Sequence, residues 1–212
     1  MSYCMKKLFF SLLVCFISAC TTPMPTPSLS TPTSFPHPQD RKAWLASLHT
    51  WKAEGSFAAR EDNKGWSGTF EWEEWQRHSK NYYQIHFYGP FGAGNTYLLG
   101  SPQHVILKDN EGTIEASTPD EAVWLKTGFI FPASYLYDWI LGRPAPGKIQ
   151  KQQWDNQGRL IAFSQAGWSV HYLAYQPVKQ GELPSLIRLN YEDIQLKLAI
   201  RQWKIEEKGK HE

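Results

Sequence analysis

Cysteine, net charge and long hydrophobic runs are all scarce in this 212-residue sequence. Three Cys do not make a disulfide scaffold. A formal charge of +2 excludes a strongly basic nucleic-acid binder and an acidic disordered tail. No apolar run reaches the roughly 20 residues that a transmembrane helix needs. The chain is long enough for one domain with a sizeable core, or at most two small ones, and has ten Trp to fill it.

Motifs of catalysis and metal binding are missing as well. The seven His have neither HxH nor HExxH spacing, and no GxSxG nucleophile motif occurs. The segment 89–94 is Gly-rich but lacks the spacing and the Lys of a phosphate loop. Glu71, Glu73 and Glu74 form an acidic cluster. The predicted polar face of Glu71 and Glu73 favours a solvated surface over paired glycosidase carboxylates. We therefore expect neither an enzyme nor a metal site.

The first 19 residues are typical of a secretory signal peptide. Two Lys precede an apolar run at 8–17, and small residues follow it. Residues 17–20, Ile-Ser-Ala-Cys, resemble the bacterial lipobox. This resemblance implies that Cys20 becomes the first mature residue and bears an S-diacylglycerol and an N-acyl chain, with no other cofactor. Several acyl chains on one residue predict stable membrane anchoring. The alternative is an ordinary signal peptide that happens to contain Cys.

The segment 20–39 is predicted to tether this anchor to the folded domain. Pro, Thr and Ser make up 14 of the 18 residues at 21–38, a composition that favours an extended chain over a buried core. Thr21 stands directly after the Cys, where an Asp would resemble an inner-membrane retention signal. By analogy with such lipoproteins, the resemblance implies the periplasmic face of the outer membrane as the location. The domain is predicted to span residues 40–206, with a charged tail at 207–212.

Apolar and polar residues alternate with a period of two in several segments of this domain. Such alternation indicates an antiparallel sheet with one face in solvent. Turn sequences at 62–65, 109–112 and 155–158 separate the segments. The predicted fold class is mainly β, a strongly curved antiparallel sheet with a few helices over its concave apolar face. The clearest alternating segments are 51–57, 69–73, 83–88, 168–172 and 194–201.

Three short helices are predicted beside the strands. Asp40 is expected to cap the first. A capping box at 118–121, with Pro at the first helical position, begins the second helix, which ends at Gly128. The third helix is predicted at 132–141 and ends at Gly142.

The inward-facing side chains of the sheet allow two interpretations. Most aromatic residues of a half-buried sheet fill its core, but a sheet covered by only three short helices can also enclose an apolar cavity for acyl chains. Alternation alone leaves both open. The candidate cavity residues are Trp51, Phe57, Phe70, Trp72, Tyr83, Ile85, Phe87, Trp168, Val170, Tyr172, Leu196 and Leu198 on the strands, and Ile130, Leu136 and Ile140 on the covering helices.

Five motifs follow one another between Trp44 and Trp203. They are Leu-x-x-Trp at 48–51 leading into Gly-Ser-Phe-Ala at 55–58, Phe-Glu-Trp at 70–72, Pro-Phe-Gly at 90–92, Pro-x-Ser-x-Leu at 132–136 and Trp-Ile-Leu-Gly-x-Pro at 139–144. The ordered series, together with the lipobox, resembles the LolB family of outer-membrane lipoprotein receptors in Gram-negative bacteria.

This resemblance implies an incomplete, unclosed antiparallel β-barrel with a helical lid over an apolar cavity. It also implies a protein that accepts lipoproteins from the periplasmic carrier LolA and inserts their acyl chains into the outer membrane without nucleotide or metal. Members of the family have a protruding apolar residue in a loop between two adjacent strands. That position corresponds to Phe91, between Pro90 and Gly92, where Leu is the common residue of the family. We expect a monomer that binds no nucleic acid.

Two other classes of protein remain as alternatives. A structural or adhesive outer-membrane lipoprotein would have a filled β core. An envelope enzyme such as an esterase is disfavoured by the missing nucleophile motif.

Overall fold

The structure is a computed structural model that describes residues 35, 37–89, 94–101, 103–128 and 131–206. Several predictions fall outside the described residues: the signal peptide, the lipidated Cys20, most of the tether, the tail 207–212, the lid residue Ile130, and Pro90, Phe91 and Gly92 of the loop. None of the helices within the described ranges is long and apolar enough to cross a membrane.

The described chain contains three helices and eleven strands. The helices are α1 (Pro38–Ser47), α2 (Pro119–Thr127) and α3 (Ala133–Ile140). The strands are β1 (Trp51–Glu61), β2 (Lys64–Arg77), β3 (Lys80–Tyr88), β4 (Asn95–Ser101), β5 (His104–Asp109), β6 (Gly112–Ala116), β7 (Ile149–Trp154), β8 (Leu160–Gln165), β9 (Trp168–Val178), β10 (Gly181–Tyr191) and β11 (Ile194–Ile205).

All these strands lie in one antiparallel sheet, in the order β6-β5-β4-β3-β2-β1-β11-β10-β9-β8-β7. Strands β1–β6 form one meander. The chain then passes through α2 and α3, and β7–β11 form a second meander whose last strand pairs with β1. Because β6 and β7 lie at opposite edges and do not pair, the sheet formed by the described residues is unclosed. The predicted fold class is therefore confirmed.

The strands follow the predicted alternation. In β1, Trp51 and Ala53 are buried, whereas Lys52 between them is partly exposed. The other four predicted segments fall within β2, β3, β9 and β11, and their apolar residues occupy the more buried face. Register shifts interrupt the pairing of β1 with β11, of β9 with β10 and of β7 with β8. Such bulges bend and twist strands, and so help the sheet to curve around its apolar face.

Two of the three helix predictions hold in detail. In α2, the backbone N–H of Glu121 donates to Thr118 Oγ1 at 3.1 Å, and Gly128 ends the helix with a φ of 71°. Helix α3 begins and ends one residue inside the predicted range. In α1, Asp40 lies in the first turn and is not the cap; the N-cap is His37, which makes no side-chain cap bond.

The domain also begins earlier than residue 40. Helix α1 starts at Pro38, within the predicted tether. Phe35 packs against Trp44, with ring centroids 5.2 Å apart.

Candidate functional site

An apolar cavity of about 640 Å³ lies between the β2–β5 half of the sheet and helices α2 and α3. This volume is typical of ligand pockets, which range from about 300 to 1,000 Å³. Aliphatic and aromatic side chains from both the strands and the helices form most of its wall. The lining consists of Trp72, Glu74, Ser79, Lys80, Asn81, Tyr83, Ile85, Phe87, Thr96, Leu98, Ser101, Leu107, Pro119, Val123, Phe131, Ala133, Ser134, Leu136 and Tyr137.

The cavity runs along strand β3. Lys80 and Phe87, at the two ends of this strand, both line the cavity. Seven residues of strand correspond to roughly 23 Å at about 3.3 Å per residue. One end lies at the polar residues Ser79, Lys80 and Asn81. The other end lies near the loop that joins β3 to β4. At the base of this loop, the Gly89 N–H donates to the Gly94 carbonyl at 3.0 Å.

Five of the fifteen candidate cavity residues line this space: Trp72, Tyr83, Ile85, Phe87 and Leu136. The remaining described candidates are not among its lining residues. Trp51, Phe70, Ile140, Trp168, Val170, Tyr172 and Leu198 are buried in the hydrophobic core, and Phe57 and Leu196 pack against that core. Contact of any of these residues with an acyl chain stays a prediction.

The core residues from β8–β10 are enclosed because α3 fills the concave face on that side. The Trp139 ring packs against Phe163 and Trp168, with centroid distances of 6.2 and 6.5 Å. Trp139 Nε1 donates to Gln165 Oε1 at 2.9 Å, and Tyr172 Oη donates to the Trp139 carbonyl at 2.8 Å. Alternation shows which face each residue occupies, but not which half of the sheet receives the helix.

Helix α2 is joined to its neighbours by polar contacts at the protein surface. The Asp120 carboxylate accepts from both the backbone N–H and the hydroxyl of Ser134 on α3, at 2.6 and 2.8 Å. Lys126 Nζ lies 2.5 Å from Asp109 Oδ2, at the end of β5. These contacts place α2 over the cavity, whereas apolar packing holds the far end of α3.

Glu74 belongs to the predicted acidic cluster with Glu71 and Glu73, but a polar face is predicted only for the other two. Its side chain is buried, and only 2% of the residue is exposed. Burial raises the pKa of Glu74 to about 8. The hydrogen bond from Trp72 lowers this pKa, whereas the nearby carboxylate of Asp138 raises it further. Its even number places it on the same face of β2 as Phe70 and Trp72. The alternation therefore contained the signal.

Glu71, by contrast, is on the solvent face, as predicted. Lys52 Nζ donates to its carboxylate at 2.9 Å, and the Tyr88 hydroxyl lies 3.4 Å from it. Among the described side chains, no group of three or more His, Cys, Asp or Glu could hold a metal ion.

A second, larger groove of about 970 Å³ runs between α1 and the segment that connects α3 to β7. Its lining includes the cations Arg41, Lys42 and Arg143 as well as the carboxylate of Asp138. The cavity beneath α2 is the better acyl-chain candidate. Among its described lining residues, the acidic and basic side chains are limited to Lys80 at the polar end and the buried Glu74.

An unclosed antiparallel sheet with covering helices defines the LolA-like class of β proteins, and two solved structures share this fold. A LolA superfamily protein from Nitrosomonas europaea has a TM-score of 0.51 and 7% identity, with coverage of 76% of this chain and 88% of that one. A DUF1329 family protein from Desulfovibrio piger has a TM-score of 0.56 and 6% identity, with coverage of 82% and 92%. At such identities the likeness shows the fold alone.

Sequence similarity then identifies the family. The family model for outer membrane lipoprotein LolB matches residues 49–203. The outer-membrane lipoprotein LolB of Stutzerimonas stutzeri is 31% identical over 207 residues, which cover 97% of this chain and 98% of the relative. The LolB protein of Nitrosococcus oceani is 30% identical over 207 residues, covering 97% and 100%. The chain belongs to the LolB family of outer-membrane lipoproteins and is a lipoprotein localisation factor.

Proposed function

We propose that this protein is a lipid-anchored receptor at the periplasmic face of the outer membrane. It accepts lipoproteins from the carrier LolA, holds their acyl chains in the cavity beneath α2 and α3, and inserts them into the membrane without nucleotide. The anchor is the acylated Cys20. No step of this transfer requires a covalent reaction catalysed by the protein.

The cavity is the observation that supports this proposal. Acyl chains gain roughly 0.8 kcal/mol per buried CH₂, so they cannot be left in water during transfer. A partly open cavity of about 640 Å³ with a mostly apolar wall is suited to shield them. A structural lipoprotein with a core filled throughout has no use for such a space, which favours the receptor over that alternative.

The direction of transfer follows from how tightly each apolar site binds acyl chains. The receptor cavity takes up the chains because its affinity exceeds that of the carrier, and the bilayer, which binds them most tightly, is their final location. The end of the cavity near Phe87 and Thr96 is also the end nearest the β3–β4 loop in sequence. A large apolar residue in that loop, Phe91, is suited to contact the membrane beside the point where the chains leave.

A transfer assay with Phe91 variants tests the proposal. Residues 21–212, as wild type, Phe91→Glu and Phe91→Leu, are mixed with carrier loaded with labelled lipoprotein, with and without liposomes. We expect wild type and Phe91→Leu to take up the lipoprotein and deliver it. Phe91→Glu is expected to take it up and fail to deliver, because a carboxylate resists entry into the membrane interior.

The uptake step separates the two alternatives. If wild type removes no lipoprotein from the carrier, the receptor function is refuted and the structural lipoprotein becomes the better account. If Phe91→Glu delivers as well as wild type, the receptor function stands and the role of the loop is refuted.

A further inference from the structure

Glu74 lies in a largely apolar setting, and no cation among the described residues forms an ion pair with it. The register of β2 places it directly opposite Trp51 on β1 and Tyr83 on β3. Trp72 Nε1 donates to Glu74 Oε1 at 2.9 Å, and this is the one hydrogen bond that the described residues make to its carboxyl group. Glu74 also lines the cavity, and the described residues make no hydrogen bond to its second oxygen.

The protonation state of Glu74 decides what that oxygen does. Burial raises the pKa of Glu74 to about 8, so the carboxyl is largely protonated at pH 7. A protonated carboxyl is a hydrogen-bond donor. The ionisable groups near it are Tyr83 on β3, and Tyr137 and Asp138 on α3. Burial raises the pKa of both Tyr hydroxyls, and Asp138 is paired with Arg143 at 2.6 Å.

Tyr83, the β3 residue paired with Glu74, supplies a second donor in the same cavity. Its hydroxyl is enclosed and has no hydrogen-bond partner among the described residues. The ring lies across β4 at Gly100, where an added Cβ would be 1.9 Å from Tyr83 Cζ. Any other residue at 100 would displace the ring, so glycine is what permits Tyr83 to lie against β4 there. A buried hydroxyl without a partner destabilises the fold, and a ligand acceptor can recover that loss.

The two donors match one part of an acylated ligand. An acyl chain is apolar except at the ester that joins it to glycerol. The carbonyl oxygen of that ester accepts hydrogen bonds but donates none. We propose that Glu74 and Tyr83 form a hydrogen-bonding site for the ester carbonyl oxygens of acyl chains held in the cavity. This inference rests on the proposed function, since it requires that the cavity bind such chains. The ester belongs to the diacylglycerol of a lipoprotein, and membrane phospholipid is the competing source.

Paired ester and ether ligands test this site. The mature chain 20–212, produced without its lipid, is titrated with a fluorescent fatty-acid probe. The probe is then displaced by a short-chain diacylglyceryl-cysteine peptide or by its dialkyl ether analogue. Each ester hydrogen bond is worth about two- to tenfold in affinity. Because wild type offers two donors, we expect it to bind the diester about four- to hundredfold more tightly than the diether.

Four variants separate recognition from packing. Tyr83→Phe and Glu74→Leu each remove one donor, so each is expected to lower the diester affinity about two- to tenfold more than the diether affinity. Leu98→Ala, a cavity change without a polar group, is expected to weaken both ligands equally and keep the ratio of the two affinities. Glu74→Gln retains an N–H donor at every pH. Its preference is expected to persist at pH 9, where that of wild type falls because the carboxyl ionises.

Each contrary result has a distinct meaning. Equal binding of diester and diether by wild type refutes the site and leaves the cavity function intact. Equal losses for both ligands in Tyr83→Phe and Glu74→Leu assign these residues to packing and also refute it. Displacement by neither ligand refutes the proposed function and the site together. A phospholipid pair run in parallel identifies the source: an ester preference seen only there overturns the assignment to lipoproteins.

Discussion

Replacing Glu74 with Gln should stabilise the protein, and the gain should depend on pH. The folded state raises the pKa of this carboxyl from its ordinary value of 4.5 to about 8. Between these two pH values the folded state holds a proton that the unfolded chain releases. The free energy of unfolding of wild type therefore falls as pH rises through this range. Gln keeps the shape and an acceptor for Trp72 Nε1 but does not titrate, so it escapes this loss.

The size of the effect follows from the two pKa values. Each pH unit between them is worth about 1.36 kcal/mol. At pH 4 both states are largely protonated, and the variant and wild type should differ little. At pH 7 the expected advantage of Glu74→Gln is about 3 kcal/mol, and above pH 9 it should level off near 5 kcal/mol.

Urea unfolding at pH 4, 7 and 9 measures this difference directly. Glu73→Gln is the matched control, because Glu73 is the preceding residue of the same strand and is exposed on the opposite face. Its effect is expected to stay within about 0.5 kcal/mol at each pH, as is usual for a surface substitution. A gain from Glu74→Gln that is the same at pH 4 and pH 9 would refute the assignment of a buried, neutral carboxyl.

Three further substitutions test the parts of the fold that hold the covering helices. Gln165→Leu should destabilise the protein by about 3 kcal/mol in urea unfolding, because it leaves Trp139 Nε1 and two backbone groups of Ala145 without partners. Gly142→Ala should cost about 1 kcal/mol or more, since the residue has a φ of 84°, and Gly142→Asn should cost less. Thr118→Ala should cost about 1 kcal/mol by loss of the α2 cap, whereas Thr118→Ser should change thermal unfolding little.

How far the sequence predicts this molecule depends on the range of the interaction involved. A period of two and a capping box are local, so the strand faces of β1 and β3 and the start of α2 are predictable. The location of the cavity is not local. It depends on which half of the sheet receives Trp139, and that contact joins α3 to β8 across 26 residues of sequence. Glu74 lies between these cases, because its face follows from alternation while its burial depends on α3 above it.

The two halves of the sheet divide stability and binding between them. On the β8–β10 side, Trp139, Trp168 and Leu183 are almost fully enclosed, and the polar atoms of Gln165 are paired. On the β2–β5 side, space is left unfilled beside a buried carboxyl. An unfilled cavity forfeits packing contacts, and an uncompensated acid costs folding free energy, so neither feature stabilises the fold. Both features lie in the same half of the sheet. We infer that the packing of the other half offsets the folding free energy that these features cost. Substitutions that fill the empty space of the binding half should therefore stabilise it and reduce its capacity for acyl chains.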